Sequence, residues 1–286
     1  MRPGILGVAM LLVCSPTGGH AWWCGGHELM TRAAVRALPA ELPSFLRTGE
    51  AAVVRSVADP DLFKNRDTPH LRDAEQPEHY WDAELLRPGS APDTRAAFFD
   101  TCVAQGLSPF RVGLLPYAIA EWTERLAVAL AEHRRWPEDE RIQHKCLVYA
   151  GVLAHYAQDA CQPLHVTRDY DGRPAADGAV VGRGIHDRLD SLPERLRLQP
   201  ERLAAAVSLP RIKALMPAIW AQIEASRARL DAVYALASAL ATASSGEALG
   251  ALGEERAVAA AAFTAALYWY AWEASAQIAI PAWHSR

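Results

Sequence analysis

The segment LAHYAQDACQPLH, residues 153–165, contains the centre of the predicted fold and most of its chemistry. The first part of this segment, 153–161, is the end of a run over 144–161 that is apolar on nearly all sides, as expected of a helix packed in the middle of a protein. His155 and Asp159 are four residues apart, so a helix places the imidazole and the carboxylate side by side on one face. A proline then turns the chain, which lets His165 fold back towards the same point. The segment predicts a buried central helix with a polar site at its C-terminal end.

Four further segments carry apolar residues at helical spacing. They span 27–38, 113–136, 211–242 and 254–280, and the last two are rich in alanine, which favours helix. The stretches 59–90 and 166–183 are rich in Pro, Gly, Asp and Arg and are predicted to be loops. We find no convincing run of alternating β-branched residues, no linker and no repeat. The sequence therefore predicts one compact all-α, multi-helix domain over 22–286.

The composition limits the classes of function. Of 286 residues, 51% are hydrophobic and 22% are charged, and the formal net charge is −4. A chain of this length and hydrophobicity can bury a sizeable core, which excludes intrinsic disorder. The mixed charges exclude a broad basic surface of the kind that holds DNA. A polyanionic substrate would have to be held locally, by a few side chains or by metal ions.

The first 21 residues have the pattern of a secretory signal peptide. Arg2 supplies a positive start, residues 5–14 form an apolar run, and small residues stand at positions −3 and −1 before Trp22. The apolar run is too short to span a bilayer, which takes about 20 residues. We therefore predict cleavage before Trp22 and export of the mature chain, which would be periplasmic or secreted.

Export would allow disulfides between the cysteines of the mature chain. These are Cys24, Cys102, Cys146 and Cys161. Cys146 and Cys161 lie on one predicted helix and would be about 22 Å apart at a rise of about 1.5 Å per residue. A disulfide needs Cα atoms within about 7 Å. We expect Cys24 to pair with Cys161 or Cys146 and Cys102 to take the other; four reduced thiols are the alternative.

Other histidines and carboxylates occur at ligand spacing outside the central helix. His186 and Asp190 repeat the spacing of four residues, and His27 follows five residues after the predicted amino terminus at Trp22. A free α-amino group and its neighbouring carbonyl can chelate a metal ion together with such a histidine. Imidazole nitrogen and carboxylate oxygen are the ligands that zinc takes in catalytic sites. The spacing therefore indicates metal binding.

Asp59 and the segment EHYWD at 78–82 complete an ordered set of residues that resembles a known family. The family is that of the trinuclear-zinc phosphodiesterases, which comprises the bacterial zinc phospholipases C and the fungal and plant single-strand nucleases. Its members are all-helical and begin the mature chain with a Trp whose amino and carbonyl groups bind zinc. Their motif His-xxx-Asp followed by Gln-Pro-(Leu/Met)-His matches 155–165, and a later His-xxx-(Asp/Glu) matches 186–190. The resemblance implies a zinc-dependent phosphodiester hydrolase.

Carried over residue by residue, the resemblance implies three zinc ions per chain. The first site would use Asp59, His79 and His155; the second would use the amino and carbonyl groups of Trp22, His27 and a bridging Asp159; the third would use His165, His186 and Asp190. Asp61 is the alternative to Asp59 in the first site.

Three zinc ions would make the cleft cationic inside an acidic protein. Water between two zinc ions would be the nucleophile, and Asp59 would take its proton.

Two residues that follow His79 in the sequence, Tyr80 and Asp82, are relevant to the choice of substrate. Tyr80 and Asp82 match positions that, in the nucleases, hold an aromatic that stacks on a base and an Asp that hydrogen-bonds its edge. The phospholipases have a similar aromatic and Asp after their histidine. These residues are therefore candidates for substrate binding, but they do not choose between nucleic acid and phospholipid.

Other features of the resemblance favour a nuclease. The five-residue step over 22–27 and the use of Asp190 rather than Glu match the nucleases. One feature is evidence against a nuclease. The nucleases carry a Lys or Arg three residues after the first Asp, but counted from Asp59 that position is Leu62, so Lys64 or Arg66 would have to substitute. We prefer a single-strand nuclease or 3'-nucleotidase acting as a monomer without a protein partner. Phospholipase C is the alternative, and a non-catalytic helical metal-binding protein is the second.

Overall fold

Helices make up nearly all the regular structure of the chain. The computed structural model describes residues 22–242 and 246–284, so the predicted signal peptide at 1–21 lies outside the described residues. In chain order the helices are α1 (Cys24–Arg36), α2 (Ser44–Thr48), α3 (Glu50–Ser56), α4 (Asp59–Phe63), α5 (Pro69–Glu75), α6 (Arg95–Ala104), α7 (Pro109–Val112), α8 (Leu115–Arg135), α9 (Glu140–Asp159), α10 (Ile185–Asp190), α11 (Leu192–Arg195), α12 (Pro200–Ala206), α13 (Leu215–Arg227), α14 (Leu230–Ala235), α15 (Ala237–Ala241) and α16 (Glu247–Ser275). Short 3-10 helices span Gln76–His79, Ala83–Leu85 and Pro163–Val166, and β1 (Arg173–Pro174) pairs antiparallel with β2 (Val180–Val181). The prediction of an all-α fold is confirmed.

The predicted central helix is α9, and α3, α8 and α16 pack against it. All residues from 150 to 159 are buried. Gly151 lets α3 approach closely, since a Cβ at that position would lie 2.4 Å from the carbonyl oxygen of Val53. The close approach brings the Val57 carbonyl within 2.8 Å of Nδ1 of His155. Packing in the core thus positions a predicted metal ligand.

The segment 59–90, predicted to be a loop, contains α4, α5 and two 3-10 helices. The prolines that indicated a loop begin helices instead: Pro60, Pro69 and Pro77 each lie in a first helical turn. A proline is tolerated there because its missing N–H would have no partner inside the helix. The second predicted loop, 166–183, keeps little regular structure beyond the β1–β2 pair.

The alanine-rich segment predicted to be one helix over 211–242 is three helices, α13, α14 and α15. α13 buries Ile219 in the main core, whereas α14 and α15 bury Val233 and Leu240 in a second apolar cluster shared with α10. One straight helix cannot face both clusters, so the chain turns after α13 and again after α14. The other predicted helices correspond to α1, α8, α9 and α16. Their bounds differ from the prediction by at most four residues, except that α16 begins seven residues and ends five residues earlier than predicted.

The expected disulfides are not formed. Cys24 is an exposed free thiol, and Cys102, Cys146 and Cys161 are buried free thiols. The sulfur of Cys161 contacts the Ala157 carbonyl oxygen at 3.3 Å, one turn back along the chain, instead of another sulfur.

None of the helices within 22–242 and 246–284 has the length and apolar character needed to cross a bilayer.

Candidate metal centre

Histidines and aspartates from six elements meet at the C-terminal end of α9. They form three groups that could each hold a metal ion: His27, His155 and Asp159; Asp61, His79 and His155; and His165, His186 and Asp190. Within each group the candidate ligand atoms lie within 4.8 Å of one another. Every member except Asp61 is buried. The structure thus brings together residues that are up to 163 positions apart in the sequence, as in His27 and Asp190.

Asp159 lies between the groups. Its Oδ2 is 3.1 Å from Nδ1 of His79 and 3.5 Å from Nε2 of His155. Its Oδ1 is 3.5 Å from Nε2 of His27 and 3.7 Å from Nδ1 of His165. Two oxygens that face different histidines suit a carboxylate shared between neighbouring metal ions.

Three of the histidines are held through the same ring nitrogen. The pairs are Nδ1 of His27 with Oε1 of Gln158 at 2.6 Å, Nδ1 of His155 with the Val57 carbonyl at 2.8 Å, and Nδ1 of His165 with the His79 carbonyl at 2.9 Å. Each acceptor favours the tautomer whose proton is on Nδ1, which leaves the lone pair on Nε2 for a metal. The rings are therefore oriented before any ion binds.

Six buried polar atoms at this centre make no hydrogen bond to any residue that the structure describes. They are Nε2 of His27, Oδ1 of Asp61, Nε2 of His79, Oδ1 of Asp159, Nε2 of His165 and Oδ2 of Asp190. An unsatisfied buried group costs about 1–3 kcal/mol. Imidazole nitrogen and carboxylate oxygen are the donor set of zinc sites. The residues therefore fit divalent metal ions of the zinc type.

The electrostatics of the centre agree with this fit. Burial lowers the pKa of His27 to about 4 and lowers that of His155 well below its ordinary value. Burial also raises the pKa of Asp159 and of Asp190 well above the ordinary value. Neutral imidazole is the form that binds metal, and a cation in the centre would favour the ionised carboxylates that burial disfavours.

The structure brings Asp61, and not the preferred Asp59, to the first group. Oδ1 of Asp61 lies 3.7 Å from Nε2 of His155 and 3.9 Å from Nδ1 of His79. Asp59 belongs to none of the three groups found among the described residues. Both aspartates lie in the first turn of α4, where positions two apart point about 200° away from each other. Only one of them can face the centre, and the orientation of α4 decides which.

Lys64 is the cation next to this group. Its Nζ lies 2.6 Å from Oδ1 of Asp61, and its side chain is 8% exposed. Burial raises the pKa of Asp61, but the charges of His155 and Lys64 outweigh that effect and hold it well below its usual range. Lys64 is the third residue after Asp61, whereas the third residue after Asp59 is Leu62.

A cleft of about 350 Å³ opens onto the groups. Its walls are formed by Lys64, Gln76, His79, Tyr80, Asp82, Arg111, Leu164, His165, Thr167, Tyr170 and His186. Burial and the nearby charge of Glu84 raise the pKa of Asp82 to about 7. Tyr80 donates a 2.6 Å hydrogen bond from its hydroxyl to the Phe110 carbonyl. All three predicted substrate-binding residues, Lys64, Tyr80 and Asp82, line this cleft.

The amino-terminal segment packs beside the centre. Trp22 is fully buried and donates from its indole to the carbonyl of Gln158 at 3.1 Å. The backbone N–H of Trp23 donates to the carbonyl of Asp190 at 3.3 Å. These bonds place the predicted mature terminus next to α9 and α10. A zinc ligand at the Trp22 amino group requires cleavage after residue 21, so that role stays a prediction.

Two contacts of the centre were missed in the sequence. Gln158 holds His27, but nothing in the sequence predicts a contact between residues 131 positions apart. Oε1 of Glu75 lies 3.3 Å from Nε2 of His79. That pair has the same spacing of four residues that identified His155 with Asp159, so the signal was present inside a segment predicted to be a loop.

The likeness of this chain to known proteins is distant. No family model matches the sequence, and no curated protein matches it. A crystal structure of Clostridium perfringens alpha-toxin, isolated from avian strain SWCP, is similar with a TM-score of 0.44 and 11% sequence identity over 90% of this chain. The chain spans 66% of the length of that toxin. A likeness this distant assigns neither a family nor an activity.

Proposed function

We propose that the chain is an exported, zinc-dependent phosphodiester hydrolase. The observation that carries the proposal is Asp159, whose two oxygens face four histidines across neighbouring groups of candidate ligands. Zinc sites a few ångströms apart are typical of enzymes that cleave phosphate esters. Buried ligand atoms that lack hydrogen-bond partners support the same conclusion.

The proposed zinc ligands are those of the sequence prediction, with one change. They are His27, Asp61 in place of Asp59, His79, His155, Asp159, His165, His186 and Asp190, together with the amino and carbonyl groups of Trp22 after cleavage. Zinc supplies positive charge for the phosphate and lowers the pKa of water towards neutrality. The role of accepting the proton of that water, which the resemblance implied for Asp59, passes to Asp61.

The cleft supplies the remaining functions. Lys64 offers a cation to the phosphodiester beside Asp61. Such a group stabilises charge that develops in the transition state. Tyr80 and Asp82 line the wall beyond His79, and Arg111 adds a second cation. In this proposal these three residues hold the organic part of the substrate.

Two classes of phosphodiester fit this cleft, and each is favoured by one observation. Lys64 three residues after Asp61 has the nuclease spacing and favours single-stranded nucleic acid or nucleotides. Tyr170 on the wall and Phe110 next to Arg111 are each 49% exposed, which favours contact with a phospholipid surface. Phospholipase C is therefore the second candidate function.

The test is to assay the mature protein with zinc on single-stranded DNA, on RNA and on phosphatidylcholine vesicles. We expect hydrolysis of at least one substrate, and we expect a chelator to abolish it and added zinc to restore it. Cleavage of lipid alone would establish the phospholipase, and cleavage of nucleic acid alone the nuclease. Bound zinc without hydrolysis of any substrate would replace the proposal with the non-catalytic alternative.

A further inference from the structure

We propose that Glu75, anchored by Tyr156, positions His79 so that His79 binds zinc through Nδ1. The inference rests on the proposed function, because it concerns a ligand of the proposed zinc centre. Glu75 itself belongs to none of the three ligand groups among the described residues. Its role is that of a positioning residue, which acts through His79.

The two ring nitrogens of His79 face in different directions: Nδ1 faces the candidate metal centre, and Nε2 faces Glu75. Nδ1 faces the centre, 3.1 Å from Oδ2 of Asp159 and 3.1 Å from Nε2 of His155. Nε2 faces away from the centre and lies 3.3 Å from Oε1 of Glu75, an ion-pair distance at which it forms no hydrogen bond with any described residue. His79 is thus the reverse of His27, His155 and His165, whose Nδ1 atoms are tied and whose Nε2 atoms are left for metal.

Glu75 is held in place by the central helix. The Tyr156 hydroxyl donates a short hydrogen bond to Oε1 of Glu75, the same oxygen that faces His79. Glu75 is 9% exposed and Tyr156 is 2% exposed, so water competes little with this contact. The tyrosine ring also packs against the His79 ring, with centroids 5.5 Å apart. Tyr156 follows His155 in α9, so one helix supplies a ligand and the anchor for the partner of another ligand.

The chemical consequence concerns the tautomer of His79. The Glu75 carboxylate beside Nε2 favours the proton at that nitrogen, which leaves the Nδ1 lone pair for an ion bound at the centre. Without Glu75 the proton can reside on Nδ1, where it would point at the metal site. Outer partners of metal-binding histidines orient the ring and raise its basicity, and their loss costs about 10- to 100-fold in metal affinity.

The experiment compares zinc affinity in three variants of the mature protein. Glu75→Leu removes the acceptor, and we expect one of the bound ions to be held about 10- to 100-fold more weakly in a chelator competition. Glu75→Gln should stay close to wild type, because an amide oxygen can replace Oε1 both as the acceptor for the Tyr156 hydroxyl and as the oxygen beside Nε2 of His79. Glu132→Leu is the matched control, since Glu132 is also buried but pairs with Lys145 and His284 instead of a ligand. We expect its zinc affinity to be unchanged.

A second readout is the visible absorption spectrum of the cobalt-substituted protein, which reports ligand geometry and which a merely structural role would not change. We expect Glu75→Leu to alter it and the Gln and control variants to preserve it. A folded Glu75→Leu protein with wild-type affinity and spectrum would overturn the inference. If that variant does not fold, Tyr156→Phe decides: weaker binding of the same ion supports the inference, and unchanged binding overturns it. Absence of zinc from the wild-type protein would overturn the proposed function instead.

Discussion

Two clusters of ionisable side chains lie towards opposite ends of α9, and they differ in how completely they are paired. Towards the N-terminal end, buried Glu132 has a partner on each oxygen: Lys145 on Oε2, in a short contact, and His284 on Oε1 at 3.0 Å. At the C-terminal end, Asp159 and Asp190 each keep a buried oxygen without a hydrogen bond to any described residue. The buried carboxylate is thus fully paired in the N-terminal cluster, whereas the buried carboxylates of the C-terminal cluster are only partly paired.

The difference separates a structural ion pair from a candidate ligand site. A buried carboxylate paired with a cation gains Coulomb and hydrogen-bond energy that offsets its desolvation. Buried carboxylates and histidines without such partners impose a cost that folding alone does not repay. We therefore expect changes in the C-terminal cluster to alter metal content and activity, and changes in the N-terminal cluster to alter only stability.

The variant Asp159→Asn tests this comparison most severely. A carboxylate shared between groups serves more than one ion, so we expect the variant to lose more than one zinc per chain. Activity should fall by more than the roughly 10- to 100-fold that a partner outside the coordination sphere contributes. Elemental analysis and the phosphodiesterase rate measure both effects. His186→Ala is the control and should lose mainly one ion; full zinc and full activity in Asp159→Asn would show that the carboxylate is not shared.

The predicted amino terminus at Trp22 gives a second test of metal binding in the C-terminal cluster. A free α-amino group with a pKa of about 7.7–8.0 can deprotonate and bind metal, whereas an amide nitrogen within the chain cannot. A version that begins Met-Trp22 should therefore lose the zinc shared by His27 and Asp159 and most of its activity. Zinc content and rate are compared with those of the exported protein. Equal values in both would exclude the amino-terminal ligand.

The pair Asp61→Asn and Asp59→Asn separates a ligand from its neighbour in the same helical turn. We expect Asp61→Asn to lose the ion held with His79 and His155 and to reduce activity at least as far as loss of Lys64 does. Asp59 lies outside the groups found among the described residues, so Asp59→Asn should keep its zinc and its rate. Metal content of the two purified variants decides; the opposite result would restore the choice that the sequence favoured.

Lys64→Gln tests the cation in the cleft without removing a proposed ligand. Loss of one group that stabilises the transition state costs about 10²-fold in kcat. We expect kcat to fall by that factor while the zinc content stays unchanged. Lys64 contacts Asp61, but a protonated ammonium group has no lone pair with which to bind a metal ion. Steady-state kinetics and elemental analysis measure the two quantities. An unchanged kcat would remove Lys64 from the mechanism.

The smallest effect is expected in the N-terminal cluster. Burial raises the pKa of Glu132, but its hydrogen bonds to Lys145 and His284 outweigh burial and hold the pKa below the ordinary 4.5. A lowered pKa in the folded state means that Glu132 stabilises the protein above about pH 4.5, and that this stability is lost as the pH falls through the folded-state value. Glu132→Gln should therefore cost about 1 kcal/mol at pH 7 and less in acid. Chemical unfolding at several pH values measures this, and zinc loss in the variant would erase the distinction between the clusters.

The candidate site was predicted best where its geometry is local. His155 with Asp159 and His186 with Asp190 are spaced by about one turn, and α9 and α10 do place each pair on one face. Glu75 and His79 have the same spacing, but the prolines of the segment 59–90 predict a loop, in which a spacing of four residues does not indicate a shared helix face. A proline at the start of a helix and a proline in a loop have the same local signature, so only the packing around α4 and α5 distinguishes them.

The sequence by itself determined the helical class, the central position of α9, and the short-range pairs of histidine and aspartate, because periodicity and spacing set which side chains share a helix face. Tertiary structure alone decided that Asp61 rather than Asp59 joins His79 and His155, and that Gln158 meets His27. It also decided that the segment 211–242, predicted to be one helix, forms three helices that cover two apolar clusters, and that the four cysteines of the described residues are free thiols. These outcomes depend on how helices rotate and approach one another, which follows from packing of the whole core and not from any one segment.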